Sequence, residues 1–323
     1  MQMRALITGI SGFVGSHLAR YLLTLGADVC GIARRPESEW SFPGSERLEV
    51  CTGNILDEDF LRNCIETIRP THVFHLAGTL GGAVGSSLGQ YESNAWGTVR
   101  LLDALRALRP APWVLVAGSS AVYGPAGNLP IGEEQAFQPL THYAASKAAQ
   151  ELVAIQHHLA YGMNIVRTRT FNLVGPGLSR ALAPSELAYQ VAHAEAGGPS
   201  VIQVGNLAPR RDYSDVRDVV RAYVALAAAS RPGEVFNVCS GHSRSVQECA
   251  EILTGMARAP VRLEVNSARM RRVEIEDQVG NGERLVNRTG WQPLIPIEKS
   301  LGDLLDCWRH KLNVAGEACP GRM

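Results

Sequence analysis

The stretch Thr8-Gly9-Ile10-Ser11-Gly12-Phe13-Val14-Gly15 decides how this chain is read. It closes a short apolar run that begins at Met3. It leads at once into His17, Leu18, Tyr21, Leu22 and Leu25, which recur at helical spacing. Glycines at i, i+3 and i+6 between a strand and a helix allow a tight turn and let backbone N–H groups approach a pyrophosphate. They also let the helix pack closely on the strand with its N-terminus facing the anion. Three glycines alone carry little; set after a first strand they point to a bound dinucleotide, held at Gly9, Ser11, Gly12, Phe13, Val14 and Gly15.

Outward from this turn, β-type runs alternate with segments of helical period. The pattern predicts strands over 3–8, 28–33, 47–51, 72–76, 112–118 and 163–170, with helices over 13–26, 57–68, 88–108 and 142–161. Such alternation reads as an α/β fold, a Rossmann-type doubly wound parallel sheet. After residue 172 Gly and Pro turns loosen the pattern. Helices are expected over 184–196, 215–229, 245–257 and 296–313, with strands over 201–204 and 234–239. No repeat or long Pro/Ser linker separates the halves, so the second reads as a smaller mixed α/β substrate-binding cap packed on the first. The expected division is 1–173 for the dinucleotide-binding domain, with 212–240 returning to it, and 174–211 plus 241–323 for the cap. The tail from Gly316 is expected to fray.

Composition narrows the function. With 323 residues and 46% hydrophobic content the chain buries a sizeable core. Its 31 basic and 31 acidic residues cancel, which argues against nucleic acid or a membrane surface as partner and leaves room for a local basic pocket. Seven cysteines, an odd number without a C-x-x-C pair, read as free thiols in a reducing compartment, with no metal site. No apolar span of about 20 residues is present, and a cytoplasmic location is expected.

The second predicted strand runs into Arg34 and Arg35, where NAD-preferring enzymes usually carry an acid for the ribose 2′-hydroxyl. An acid would repel a 2′-phosphate and an arginine would pair with it, so NADP(H) is the expected cofactor, with NAD(H) left open. Asn54 and Ile55 after the third strand fall where the adenine would lie, and Leu76, Ala77 and Gly78 where the middle of the cofactor would lie. Tyr143 and Lys147 stand at i and i+4 on one helix face, close enough for the ammonium to favour the phenolate. Ser119 and Ser120 end the fifth strand, where a hydroxyl can bind a substrate oxygen.

These residues together resemble the extended short-chain dehydrogenase/reductases that act on nucleotide sugars. TGISGFVG, HLAG, SSAVYG, YAASK, RTFNLVGPG and RRDYSDVRD occur in that family's order and spacing over essentially the whole chain. The resemblance implies that Ser119 is the catalytic hydroxyl, Tyr143 the acid/base and Lys147 its ribose-binding partner, with Asn94 supporting the site from a neighbouring helix. It implies a cap that binds a nucleotide diphosphate through Asn172 and Arg211. Arg210, Arg269 and Arg272 are further candidates. Several segments look most like the GDP-mannose branch, in which Arg271 would bind phosphate and Glu274 the ribose. Dehydratases of that branch carry a Glu two residues before the tyrosine of VYG to remove a carbon-bound proton. Here that position is Ala121, so the resemblance implies 4-keto reduction of a GDP-linked 6-deoxyhexose by a homodimer. A 4-epimerase or 4,6-dehydratase is the alternative, and a non-catalytic dinucleotide sensor a second one. His75 is expected to be a satisfied core residue, His157 and His158 to be exposed, and Trp291 to pack under the cap.

Overall fold

The computed structural model describes residues 3–36, 44–79, 86–270 and 275–317. The first half lays down β1 (Arg4–Thr8), α1 (Phe13–Thr24), β2 (Asp28–Ala33), β3 (Glu49–Thr52), α2 (Glu58–Ile68) and β4 (His72–His75). After α3 (Ser87–Tyr91) and α4 (Gly97–Leu105) come β5 (Trp113–Ser119), α5 (His142–Tyr161) and β6 (Ile165–Thr170). These strands form a wholly parallel sheet in the order β3, β2, β1, β4, β5, β6, with a seventh strand added beyond β6. The order reverses between β1 and β4, where doubly wound sheets place their ligands. Both faces of the sheet are covered, so its strands read as unbroken apolar runs. Ala5, Leu6 and Ile7 of β1 are 0% exposed. Alternation sends Ala5 and Ile7 to one core with Leu18 and Leu22, and Leu6 to the other with Leu61 and Leu101.

The helix expected over 88–108 is interrupted by a π-helical turn, Glu92–Trp96, between α3 and α4. Asn94 in this turn is fully buried, and Gly97, the first residue of α4, lies against Ile55; a Cβ there would stand 3.0 Å from the isoleucine Cγ2.

The second half contains β7 (Asn172–Val174), α6 (Ala183–Glu195), β8 (Val201–Val204), β9 (Arg210–Asp215), α7 (Val216–Ala229), β10 (Val235–Val238) and β11 (Ser243–Ser245). It ends with α8 (Val246–Gly255), β12 (Arg262–Val265), β13 (Asp277–Gln278), α9 (Glu283–Thr289) and α10 (Ile297–Glu317). Strand β10 is the seventh strand of the main sheet, and α7 packs on α1. The cap holds the two-stranded pair β8–β12 and a small sheet in which β9 pairs with β7, β11 and β13, over a core formed by α6, α8 and α10.

Two contacts depart from the expected division. All of β9 pairs within the cap sheet, so the return to the main sheet begins at α7 and not at residue 212. Helix α9 and Trp291 leave the cap: Leu285 and Trp291 join the core beside α7, and the indole Nε1 donates to Asp218 O at 2.9 Å. The aspartates of the RRDYSDVRD stretch explain why this region holds together. Asp212 accepts Ser240 N and Oγ, Asp215 caps α7 through Arg217 N and binds Ser300, and Asp218 accepts the amides of Leu294 and Ile295.

Candidate active site

The glycine turn is built as close backbone approach requires. Gly9 has φ +74°, which disfavours any L side chain, and a Cβ there would meet Ala77 Cα at 2.9 Å. A Cβ on Gly15 would sit 2.3 Å from Gly9 O, and one on Gly12 would sit 3.0 Å from the same oxygen. Helix α1 begins on Gly12 without a side-chain cap, leaving its first amides to an anion. This cradle, with a cleft of about 1040 Å³ opening above it, fits a dinucleotide pyrophosphate.

The three residues of the expected catalytic set meet on this cleft: Ser119 at the end of β5, and Tyr143 and Lys147 one turn apart on α5. Thr141 caps α5 through Ala144 N at 3.1 Å and so fixes the height at which Tyr143 enters. Ser119 Oγ accepts Ala121 N at 3.2 Å, and its hydroxyl acts on the Tyr143 phenol across the cleft. Burial pushes the Tyr143 phenol up from its ordinary value, and the Ser119 hydroxyl pulls it partly back. The lowering expected from Lys147 is therefore overturned as the ruling effect. The ammonium is turned to Ala117 O at 2.7 Å and Gln150 Oε1 at 2.6 Å, and burial brings the lysine itself down to about 8. At neutral pH the phenol carries its proton, the form that donates to a developing alkoxide.

Asn94 also reaches the cleft. Its Oδ1 accepts Thr79 N at 2.9 Å and its Nδ2 donates to Ser146 Oγ at 2.9 Å, fastening the π-helical turn to α5. A Cβ on Gly78 would lie 2.6 Å from Asn94 Oδ1, so glycine is required where the β4 loop passes. His75 is satisfied and fully buried, as expected, between Thr8 and Thr98. His157 differs from expectation: it is 3% exposed, its Nδ1 bound to Val153 O.

Of the remaining cofactor candidates, Phe13, Val14 and Leu76 line the cleft. Arg34 and Arg35 are exposed at the carboxyl end of β2. Asn54 Oδ1 turns back to accept Leu56 N, and Ile55 is buried among core side chains. Ser120, directly after β5, lines the cleft, as do Asn172 and Arg211 on the cap side, the arginine anchored on the carbonyls of Arg210 and Ile275 at 2.7 Å each. Arg210 instead pairs with Glu248. Arg271, Arg272 and Glu274 lie outside the described residues.

Sequence reasoning missed several cleft residues. Thr170 and Tyr223 bind each other at 2.7 Å, and Gln278 Nε2 donates to Ser120 O at 3.0 Å. In the cap, Glu186 accepts from Arg180, Arg269 and Gln190. Apart from Gln190 and Glu186, one turn apart on α6, these contacts join residues of different segments, so spacing could not reveal them. Glu186 is the one carboxylate among the described residues that line the cleft.

A parallel sheet of this order, with a hydroxyl, a phenol and an ammonium gathered at its switch point, defines the extended short-chain dehydrogenase/reductase class. The sequence model of the GDP-mannose 4,6 dehydratase family matches residues 6–304, and the chain belongs to that family. It is 33% identical over 318 residues to GDP-6-deoxy-D-mannose reductase of Pseudomonas aeruginosa, covering 97% of this chain and 99% of that protein. It is 28% identical to UDP-glucose 4-epimerase of Mycolicibacterium smegmatis, over 96% of this chain and 99% of the relative. The solved structure of RMD from Pseudomonas aeruginosa complexed with NADPH matches with a TM-score of 0.82 at 32% identity, over 96% of this chain and 100% of that one. No helix among the described residues is long and apolar enough to cross a membrane.

Proposed function

We propose that the protein is an NADPH-dependent 4-ketoreductase of a GDP-linked 4-keto-6-deoxyhexose. The observation that carries the reading is the company Tyr143 keeps. Ser119 and Lys147 share its cleft, whereas Ala121 places a methyl where dehydration would need a carboxylate. The cleft's described carboxylate, Glu186, is on the cap helix α6 and already bound to two arginines. Among the described residues the cleft offers proton abstraction from carbon no free carboxylate base; carbonyl reduction needs none.

In this reading the turn Gly9–Gly15 holds the cofactor's pyrophosphate, Arg34 and Arg35 its 2′-phosphate, and Lys147 its ribose. Bound NADPH supplies the hydride. Tyr143 donates its proton to the alkoxide that forms at C4, and Ser119 hydrogen-bonds the same oxygen. Arg211 and Asn172 hold the diphosphate, joined by Arg271 and Glu274 on the strength of the resemblance. Binding so far from the reacting carbon orients the sugar ring. The likeness to the Pseudomonas aeruginosa reductase supports the guanine nucleotide.

A homodimer formed through α3, α4 and α5 is supported by exposed apolar side chains on that face, with Leu88 65%, Trp96 55% and Leu152 58% exposed. The free thiols, four of them buried, fit a reducing cytoplasm.

The test mixes purified protein with NADPH and either a GDP-4-keto-6-deoxyhexose or GDP-mannose. Net oxidation of NADPH with the keto sugar alone is expected. Dehydration of GDP-mannose, or interconversion of sugars without net NADPH loss, would overturn the reading in favour of a dehydratase or an epimerase.

A further inference from the structure

Below the catalytic lysine lies a run of polar side chains that no motif joins. Gln150, Thr98, His75 and Thr8 are each 0% exposed, on α5, α4, β4 and β1 respectively. Obligatory donors fix the direction of every bond in this run. Thr98 Oγ1 gives its one proton to Asn94 O at 2.6 Å, because a carbonyl can only accept. Its lone pairs must then accept from Gln150 Nε2 at 3.1 Å and from His75 Nε2 at 2.8 Å. His75 is therefore the Nε2–H tautomer, and its Nδ1 accepts from Thr8 Oγ1 at 2.8 Å. Thr8 Oγ1 in turn accepts Ala77 N at 3.2 Å.

The Gln150 amide consequently cannot flip. A flip would aim its oxygen at a threonine with no proton left to give, and its NH2 at an ammonium. In the observed orientation Gln150 Oε1 accepts from Lys147 Nζ at 2.6 Å, while Ala117 O takes a second ammonium hydrogen at 2.7 Å. The third hydrogen remains for the cleft, which Lys147 lines.

We propose that Gln150 is a positioning residue of the reaction: locked by the Thr98–His75–Thr8 chain, it holds the Lys147 ammonium charged and aimed at the cleft. The inference rests on the reductase reading, in which Lys147 serves the reaction. Its physical basis is the low dielectric of the site. A charge removed from water at this depth is unfavourable unless hydrogen bonds replace hydration, and Gln150 supplies one of the two internal acceptors. The groups packed around α5 leave this role to it. His75 of β4 opposes the ammonium and is itself kept neutral by burial, held down to about 3. Tyr143 on α5 is protonated at neutral pH. Glu151 on α5 is bound by Arg167 and Arg169 of β6, the latter also donating to Tyr123 beyond β5. Asp103 of α4 faces His157, and Tyr91 of α3 faces His142.

The test is the pH dependence of kcat in the keto-sugar reduction, for the native enzyme and for Gln150→Leu, Gln150→Glu and Thr98→Val. Activity falls on the alkaline side as the ammonium loses its proton. Removing a charge-assisted hydrogen bond from it shifts that limb to lower pH by about one unit, roughly a tenfold loss of kcat on the alkaline limb. Gln150→Leu is expected to show this shift, and Gln150→Glu, which restores the acceptor, to return the limb to the native position or above it. Thr98→Val removes the lock and is expected to move the limb in the same direction as Gln150→Leu; it also carries the test should Gln150→Leu fail to fold. A native limb in both Gln150→Leu and Thr98→Val overturns the inference. Lys147→Ala separates the two levels of the argument: its inactivity beside a native limb in the other variants would sink the Gln150 role alone, whereas its full activity would sink the reductase reading with it.

Discussion

Burial at the cleft raises the Tyr143 phenol above its ordinary value, so the residue meets a substrate in its acid form. Removing its hydroxyl should strip out one proton-transfer step while leaving the cofactor cradle untouched. Tyr143→Phe is expected to lower kcat by roughly 10²–10⁴-fold with NADPH affinity unchanged, as steady-state rates and a nucleotide fluorescence titration would show. At the far end of the cofactor the prediction is one of selectivity. Each guanidinium–phosphate bond contributes about 1.5–3 kcal/mol. Replacing Arg34 and Arg35 by Ala should therefore raise KM for NADPH at least roughly tenfold and leave KM for NADH in place. An equal rise for both cofactors would assign the arginines to a part the two share, and no rise would assign them to the surface; either would take them off the 2′-phosphate.

Among the elements, the β1–α1 turn and the π-helical turn do most to place the chemistry. The first has no slack: Gly15→Ala would set a methyl 2.3 Å from Gly9 O, and loss of measurable NADPH binding by calorimetry is expected. This turn was legible in the sequence because its demands are local, steric and carried by glycine. The six leading strands, Tyr143, Lys147 and Ser119 were legible for a similar reason, since apolar runs and i, i+4 spacing are properties of one element. The π-helical turn was not. Glu92–Trp96 keeps helical composition, and what selects the wider turn is the docking of Asn94 on Thr79 and Ser146, which are remote in the chain. Strands β7, β11 and β13 span two or three residues each, too short for any period to register. Helix α9 was missed because seven residues give a weak pattern, and Trp291 was assigned to the wrong body because a lone indole does not announce which face it will meet. It fills the core beside α7 at 5% exposure. Trp291→Ala should cost about 3–5 kcal/mol in urea unfolding, through the cavity it leaves between α7 and α9.

At the scale of the whole molecule, β1, β5 and α5 bring the glycine turn, Ser119, Tyr143 and Lys147 to one wall of the cleft, and the cap supplies Asn172, Arg211 and the Arg180–Glu186–Arg269 cluster to the other. The buried chain under Lys147 gives this assembly an acid sensitivity. Burial lowers His75 from 6.5 to about 3, so between those values the unfolded chain binds a proton that the folded chain does not. Stability therefore rises with pH through that window and is lost as the pH falls through it, by about 1.4 kcal/mol per unit for this group. Urea unfolding at pH 5 should show about 2 kcal/mol less stability than at pH 7 from His75 alone.

The account as a whole stands on hydride delivery to C4 of a sugar with protonation at Tyr143. NADPH carrying deuterium on the transferred face of its nicotinamide, incubated with the protein and a GDP-4-keto-6-deoxyhexose, tests this most directly by mass spectrometry and proton NMR of the product. One deuterium per sugar, located at C4 and appearing roughly 10²–10⁴-fold more slowly when Tyr143→Phe is used, is the result predicted. An unlabelled product from the native protein, or a label at any other ring or side-chain carbon, would contradict it.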